Sequence, residues 1–130
     1  MNAPTYQKEA HRFSTYGNNP MYPALGLAEE AGEVSGKFAK FIRKHDGIEP
    51  IASAKVVEKK IESGELDAIF ADDIAEFKKN LSKELGDVLW MVAELCTVYG
   101  LDLEEVMEEN IAKLTDRLTR GVIIGEGDNR

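Results

Sequence analysis

An all-α fold, a bundle of four main helices with a short extra helix in a central insert, is predicted by three features of the sequence. Apolar residues recur at three- and four-residue spacing through the longer segments, and no run alternates apolar with polar residues as half-buried strands require. Glycine- and proline-containing turns fall between the periodic segments. The 130 residues, 43% of them hydrophobic, suit a single domain spanning 1–130 with one sizeable core.

The first helix is expected from Pro4 to Tyr16, closed by "GNNP" at Gly17 to Pro20. The second runs from about Tyr22 to Arg43 or Lys44. A charged insert follows, about residues 45–73, which Gly47, Pro50 and Gly64 punctuate and in which a short helix is expected near Ala54 to Ile61. The third long helix starts around Asp72 or Asp73 and ends at Gly100, a C-terminal glycine. Asp102 opens the fourth as a cap, with Glu105 placed to reach back, and the helix runs to Arg120 and stops at Gly121. Short connections such as that at Gly100 make neighbours antiparallel, which is the bundle arrangement.

Charge narrows the function. With Asp+Glu 24 against Lys+Arg 16 the net charge is −8, which argues against a nucleic-acid polymer or an anionic membrane surface as partner. Any polyanionic ligand needs a local cationic site or a metal. The single cysteine, Cys96, rules out an internal disulfide and suits a reducing compartment. The first sixteen residues carry no apolar signal core and no window approaches the ~20 apolar residues of a membrane span, so a soluble cytoplasmic protein is expected.

A helix turns about 100° per residue, so each side chain has a place on its wheel. On the second helix Leu27, Ala31, Val34, Phe38, Phe41 and Ile42 form an apolar stripe, with Glu30, Glu33 and Lys37 along its edge and Glu29 and Lys40 a little farther round. On the third, Leu81, Leu85, Val88, Val92 and Cys96 form the stripe, and Glu84 and Asp87 hold the same edge. On the fourth the stripe is Leu103, Met107, Ile111, Leu114 and Leu118, and its edge carries Asn110, Lys113 and Arg117. Residues three apart have Cβ atoms ~5–6 Å apart, so each acidic pair can grip one cation. Four carboxylates at a partly desolvated edge are unfavourable unless a cation compensates or some protonate. Hard divalent ions take oxygen ligands, and Mg²⁺ keeps positions open for water and substrate phosphates. His and Cys are missing from matching positions, which argues against zinc and di-iron chemistry. Either pair alone reads as a solvated helix face; both in matching phase, with a cationic edge on a third helix, do not.

Gly32, Gly36 and Gly86 lie away from the carboxylates, and each costs roughly 1 kcal/mol relative to alanine. They are expected to admit another helix, for instance from a second subunit. Trp90 is placed to pack an interface or to stack on a base. His11 and His45 are isolated and receive no role.

The motifs "EEAGE" at Glu29 to Glu33, "ELGDVLW" at Glu84 to Trp90, "GLDLEEV" at Gly100 to Val106, "NIAKLTDR" at Asn110 to Arg117 and the closing "GEGDNR" together resemble the MazG-like nucleoside triphosphate pyrophosphohydrolases of the all-α NTP pyrophosphatase superfamily. The resemblance implies hydrolysis of an NTP or dNTP to the monophosphate and pyrophosphate with Mg²⁺, or Mn²⁺ in its place. It implies Glu30, Glu33, Glu84 and Asp87 as metal ligands, Glu29 as a further acidic group near a second metal or the attacking water, and a homodimer or homotetramer. The 50 residues from 34 to 83 exceed the family's usual connector. Glu29 or Glu33 is the candidate general base. Lys113 and Arg117, with Lys37 and Lys40, are expected to meet phosphate oxygens, and Asn110 a phosphate or the sugar. Arg130, at the tail, is placed to close over phosphates. The expected role is nucleotide-pool house-cleaning. The rivals are a dimeric dUTPase- or dCTPase-type enzyme of narrow specificity and a catalytically silent bundle that binds a nucleotide or a protein.

Overall fold

The computed structural model describes residues 1–45, 54–65 and 68–127. It contains five α-helices, and no strand occurs among the described residues: α1 (Ala3–His11), α2 (Met21–Lys44), α3 (Ala54–Glu62), α4 (Ala68–Tyr99) and α5 (Leu103–Thr119). Gly47, Pro50 and Arg130 lie outside the described residues. By its contacts the chain divides into two units, one of residues 21–91 and one of residues 1–20 with 92–130, and α4 contributes to both.

The first of these units is built on α2 and α4. Phe41, Phe70 and Ile74 are buried together, with Ile61 of α3 and Phe77 packed against them. Phe77 meets Phe38 and Phe41 edge-on at centroid distances of 5.0 and 5.2 Å, a geometry in which ring edges meet ring faces. Nearer the start of α2, Gly26 permits close approach to α4: a Cβ there would lie 2.6 Å from the Sδ of buried Met91. Gly32, Gly36 and Gly86, expected to admit a neighbouring helix, have open space around them.

α4 begins earlier than the expected start at Asp72 or Asp73. Phe70 and Ile74 extend its apolar stripe toward the N-terminus, and Asp73 pairs across to α2's end: Lys44 Nζ donates to its Oδ1 at 2.7 Å and His45 Nε2 stands 3.1 Å from its Oδ2. His45 also packs against the rings of Phe41 and Phe70.

The other unit joins α1, the last two turns of α4 and α5. Asn2 caps α1 by accepting from Thr5 N at 3.0 Å, and Pro4 fits its first turn. The helix stops at His11, short of the expected Tyr16. Residues 13–16, "FSTY", are weak helix formers, and Tyr16 lies in the turn, where its hydroxyl donates to Oε2 of fully buried Glu94 at 2.5 Å. His11 Nδ1 stands 3.2 Å from the same oxygen. Gln7 ties α1 to the α4–α5 turn: its Oε1 accepts from Leu103 N and its Nε2 donates to Leu101 O, both at 2.9 Å. Gly100, at φ 66°, closes α4 with Leu101 N donating to Cys96 O and Gly100 N to Thr97 O, the paired bonds of a glycine C-cap. Asp102 then caps α5, its Oδ1 accepting from Glu104 N and Glu105 N.

The stripe of α5 corrects its expected placement. Leu103 is buried, but Met107, Ile111, Leu114 and Leu118 are exposed within the chain, and Arg117, expected on an open cationic edge, is buried.

The Lys44 hydrogen bond, outweighing the cost of lost hydration, holds the Asp73 carboxyl below the usual aspartate range. A carboxyl so depressed binds protons less readily in the folded than in the unfolded chain. Its stabilisation is therefore complete above the ordinary aspartate pKa and is lost as pH falls through the folded value. Asp73→Asn is expected to lower Tm at neutral pH, and the gap to the parent protein should close below pH ~4 in thermal melts. A gap that is constant with pH contradicts the pairing.

Candidate metal centre

On α2, Glu30, Glu33, Lys37, Lys40 and Lys44 follow one another at three- and four-residue steps and so share one face; on α4, Asp87, Glu84, Asn80, Glu76 and Asp73 do the same. Packing of the phenylalanines brings these helices together, and Glu30, Glu84 and Asp87 each place a carboxylate oxygen within 4.8 Å of the others'. Glu30 and Glu84 are half-buried and Asp87 is exposed.

Like charges at this separation repel, and the repulsion is visible in Glu30. Its carboxyl is pushed above the usual glutamate range, first by lost hydration and then by Asp87, Glu29, Glu84 and Glu33 in turn. Glu33, expected among the ligands, stands outside the three and is largely exposed. Glu29 is also exposed, close enough for its charge to act on Glu30.

Lys37 compensates part of this charge. Its Nζ lies 2.7 Å from Glu84 Oε1 and 3.9 Å from Glu33 Oε2, and the hydrogen bond to Glu84 is the main cause of its raised pKa. Lys40 is exposed and has no ion-pair partner among the described residues. Asn110, Lys113 and Arg117 belong to α5, in the other unit, with Asn110 and Lys113 exposed and Arg117 buried.

A profile of the MazG nucleotide pyrophosphohydrolase domain matches residues 22–121, which include every one of these side chains. The chain belongs to the MazG nucleotide pyrophosphohydrolase family. Among curated proteins it is similar to Gene 37 protein of Mycobacterium phage L5, 35% identical over 109 residues, 84% of this chain and 75% of that one. It is also similar to Uncharacterized protein YvdC of Bacillus subtilis (strain 168), 46% identical over 43 residues, 33% of this chain and 41% of that one. No solved structure matches the chain.

MazG enzymes are metal-dependent, and the donors present here fit a hard divalent cation. Three carboxylates offer oxygen only, their charges stand close together, and an ammonium already sits on one of the oxygens. No helix among the described residues is long and apolar enough to cross a membrane.

Sequence reasoning did not single out Lys44, Asp73, Glu76, Phe77 and Asn80, which line a cleft beside the carboxylates together with Lys37, Lys40 and Phe41. Carrying the acidic edge of α4 back from Glu84 by four, eight and eleven residues reaches Asn80, Glu76 and Asp73, so the wheel held the signal.

Lys37 and a metal compete for the same Glu84 oxygen. Lys37→Gln is expected to tighten Mg²⁺ binding roughly threefold to tenfold in calorimetric titration without nucleotide, since one nearby positive charge is removed. Unchanged or weaker Mg²⁺ binding contradicts this competition.

Proposed function

We propose that the protein, acting as one domain over its 130 residues, hydrolyses nucleoside triphosphates (NTP or dNTP) to the monophosphate and pyrophosphate with Mg²⁺ or Mn²⁺, as a nucleotide-pool house-cleaning enzyme of the cytoplasm. The observation that carries the reading is the convergence of Glu30, Glu84 and Asp87 on one small region of the α2–α4 face. These three hold the ion, and Glu33, one turn along α2, completes the set or serves as base. A divalent ion there supplies neutralisation of phosphate charge and activation of water. Glu29 or Glu33 takes a proton from the attacking water as its oxygen bonds to phosphorus and the phosphoanhydride bridge breaks. Lys37 and Lys40 hold phosphate oxygens. The free, buried Cys96 suits a reducing compartment.

The working form is a homodimer or homotetramer. Met107, Ile111, Leu114 and Leu118 make a continuous exposed apolar face along α5, and the open glycines of α2 and α4 leave room for a second backbone. Light scattering at the monomer mass over the whole concentration range refutes this part.

A panel of ribo- and deoxynucleoside triphosphates with Mg²⁺ or Mn²⁺ is expected to yield pyrophosphate and monophosphate for at least one base. Glu84→Gln should lower kcat about a hundredfold or more. No monophosphate from any substrate, release of orthophosphate alone, or full activity in the variant overturns the proposal.

A further inference from the structure

Four contacts show how α2 and α4 face each other. Gly26 lies against Met91, Lys37 against Glu84, Phe41 against Phe77 and Lys44 against Asp73, so residue numbers rise along α2 as they fall along α4 and the pair is antiparallel. Glu30 stands four residues beyond Gly26 and Asp87 four before Met91, which puts these carboxylates one helical turn from the Gly26–Met91 contact and on the same faces. The contact is tight. A Cβ on residue 26 would lie 2.6 Å from Met91 Sδ and 3.4 Å from its Cγ and Cε. Met91 is 2% exposed, so its thioether has no solvent to swing into and must displace packed neighbours to yield. Alanine is the better helix former, so the approach of α4 is what accounts for a glycine at this point.

We infer that Gly26, seated on Met91, is a positioning residue for the cation site: it sets the α2–α4 spacing at Glu30, Glu84 and Asp87 and so suits the site to a small divalent ion over a large one. The inference rests on the metal-dependent hydrolysis proposed above and adds to it the residue that fixes ion size. Farther along the pair the helices are held by the rings of Phe38, Phe41 and Phe77 and by the bond from Lys44 to Asp73. A methyl group at residue 26 is therefore a wedge at one end of a pair clamped at the other, and the carboxylates nearest the wedge are Glu30 and Asp87. The three carboxylate oxygens stand within 4.8 Å of one another. Mg²⁺ takes oxygens at ~2.0–2.1 Å in near-ideal octahedral geometry, with adjacent oxygens about 2.9 Å apart, whereas Ca²⁺ takes them at ~2.3–2.6 Å in flexible geometry. The carboxylates must draw inward for either ion, and farther for Mg²⁺. Asp87 has one methylene between backbone and carboxyl, so it cannot extend to recover spacing lost to the wedge. The smaller ion loses its ligands first.

The test is calorimetric titration of Mg²⁺, and separately of Ca²⁺, into the parent protein, G26A, M91V and G26A/M91V without nucleotide, with helical content followed by circular dichroism. Valine at residue 91 keeps a γ carbon and removes the sulfur that meets the added methyl. The expected result is Mg²⁺ binding weakened about tenfold in G26A, Ca²⁺ binding weakened less than about threefold, and Mg²⁺ binding in G26A/M91V restored to that of M91V. A general loss of packing would weaken both ions alike. That result, or unchanged Mg²⁺ binding in G26A, overturns the inference and leaves the cation site standing. If G26A does not fold, G26A/M91V decides against M91V: equal Mg²⁺ binding upholds the inference and weaker binding overturns it. Absence of Mg²⁺ binding by the parent protein removes the reading on which the inference rests.

Discussion

Repulsion among Glu30, Glu84 and Asp87 is the constraint around which the α2–α4 unit is arranged. Three carboxylate oxygens within 4.8 Å of one another are unstable alone, so their convergence must be imposed by packing elsewhere. Phe38, Phe41, Phe70 and Phe77 supply that packing toward one end of α2, and Gly26 against Met91 supplies it toward the other. The carboxylates lie between these two contacts in sequence. Their electrostatic cost is met locally by Lys37, an ammonium on a flexible stem that can yield its oxygen to a better cation. The free energy of hydrophobic contact is thus used to hold together carboxylates that repel one another, an arrangement typical of functional sites.

The same face of α2 changes character along its length. Glu30 and Glu33 stand near its middle and Lys37, Lys40 and Lys44 follow toward its end, with Lys37 paired to Glu84 and Lys44 to Asp73. A magnesium nucleotide carries both charges in the same order, metal beside phosphate. That match supports a nucleotide reading more strongly than acidic residues alone, which are common on helix surfaces.

Much of this was legible in the sequence. The four main helices, the short helix in the insert and the matching phase of Glu30 with Glu84 and Asp87 follow from periodicity and capping residues, because local spacing decides them. What periodicity could not give was which side of a stripe is covered. Met107, Ile111, Leu114 and Leu118 have the spacing of a core face yet are exposed, and Arg117 has the chemistry of a surface yet is buried. Burial is a property of what lies opposite, and a wheel holds no information about that. The start of α4 was misplaced for a related reason: Asp72 and Asp73 resemble a cap, but Asp73 is engaged by Lys44 and His45 from another helix. His11 and His45, isolated in sequence, proved to stand beside Glu94 and Asp73, partners 83 and 28 residues away.

The central physical claim, that Glu30, Glu84 and Asp87 act together as a cation site, is tested most directly by electron paramagnetic resonance of Mn²⁺ titrated with protein. The sharp signal of free Mn²⁺ should fall as parent protein is added, to at least one ion per chain, and should persist when Glu30→Gln, Glu84→Gln and Asp87→Asn are combined in a variant whose helical content is intact. Equal loss of the free signal with both proteins would contradict the claim.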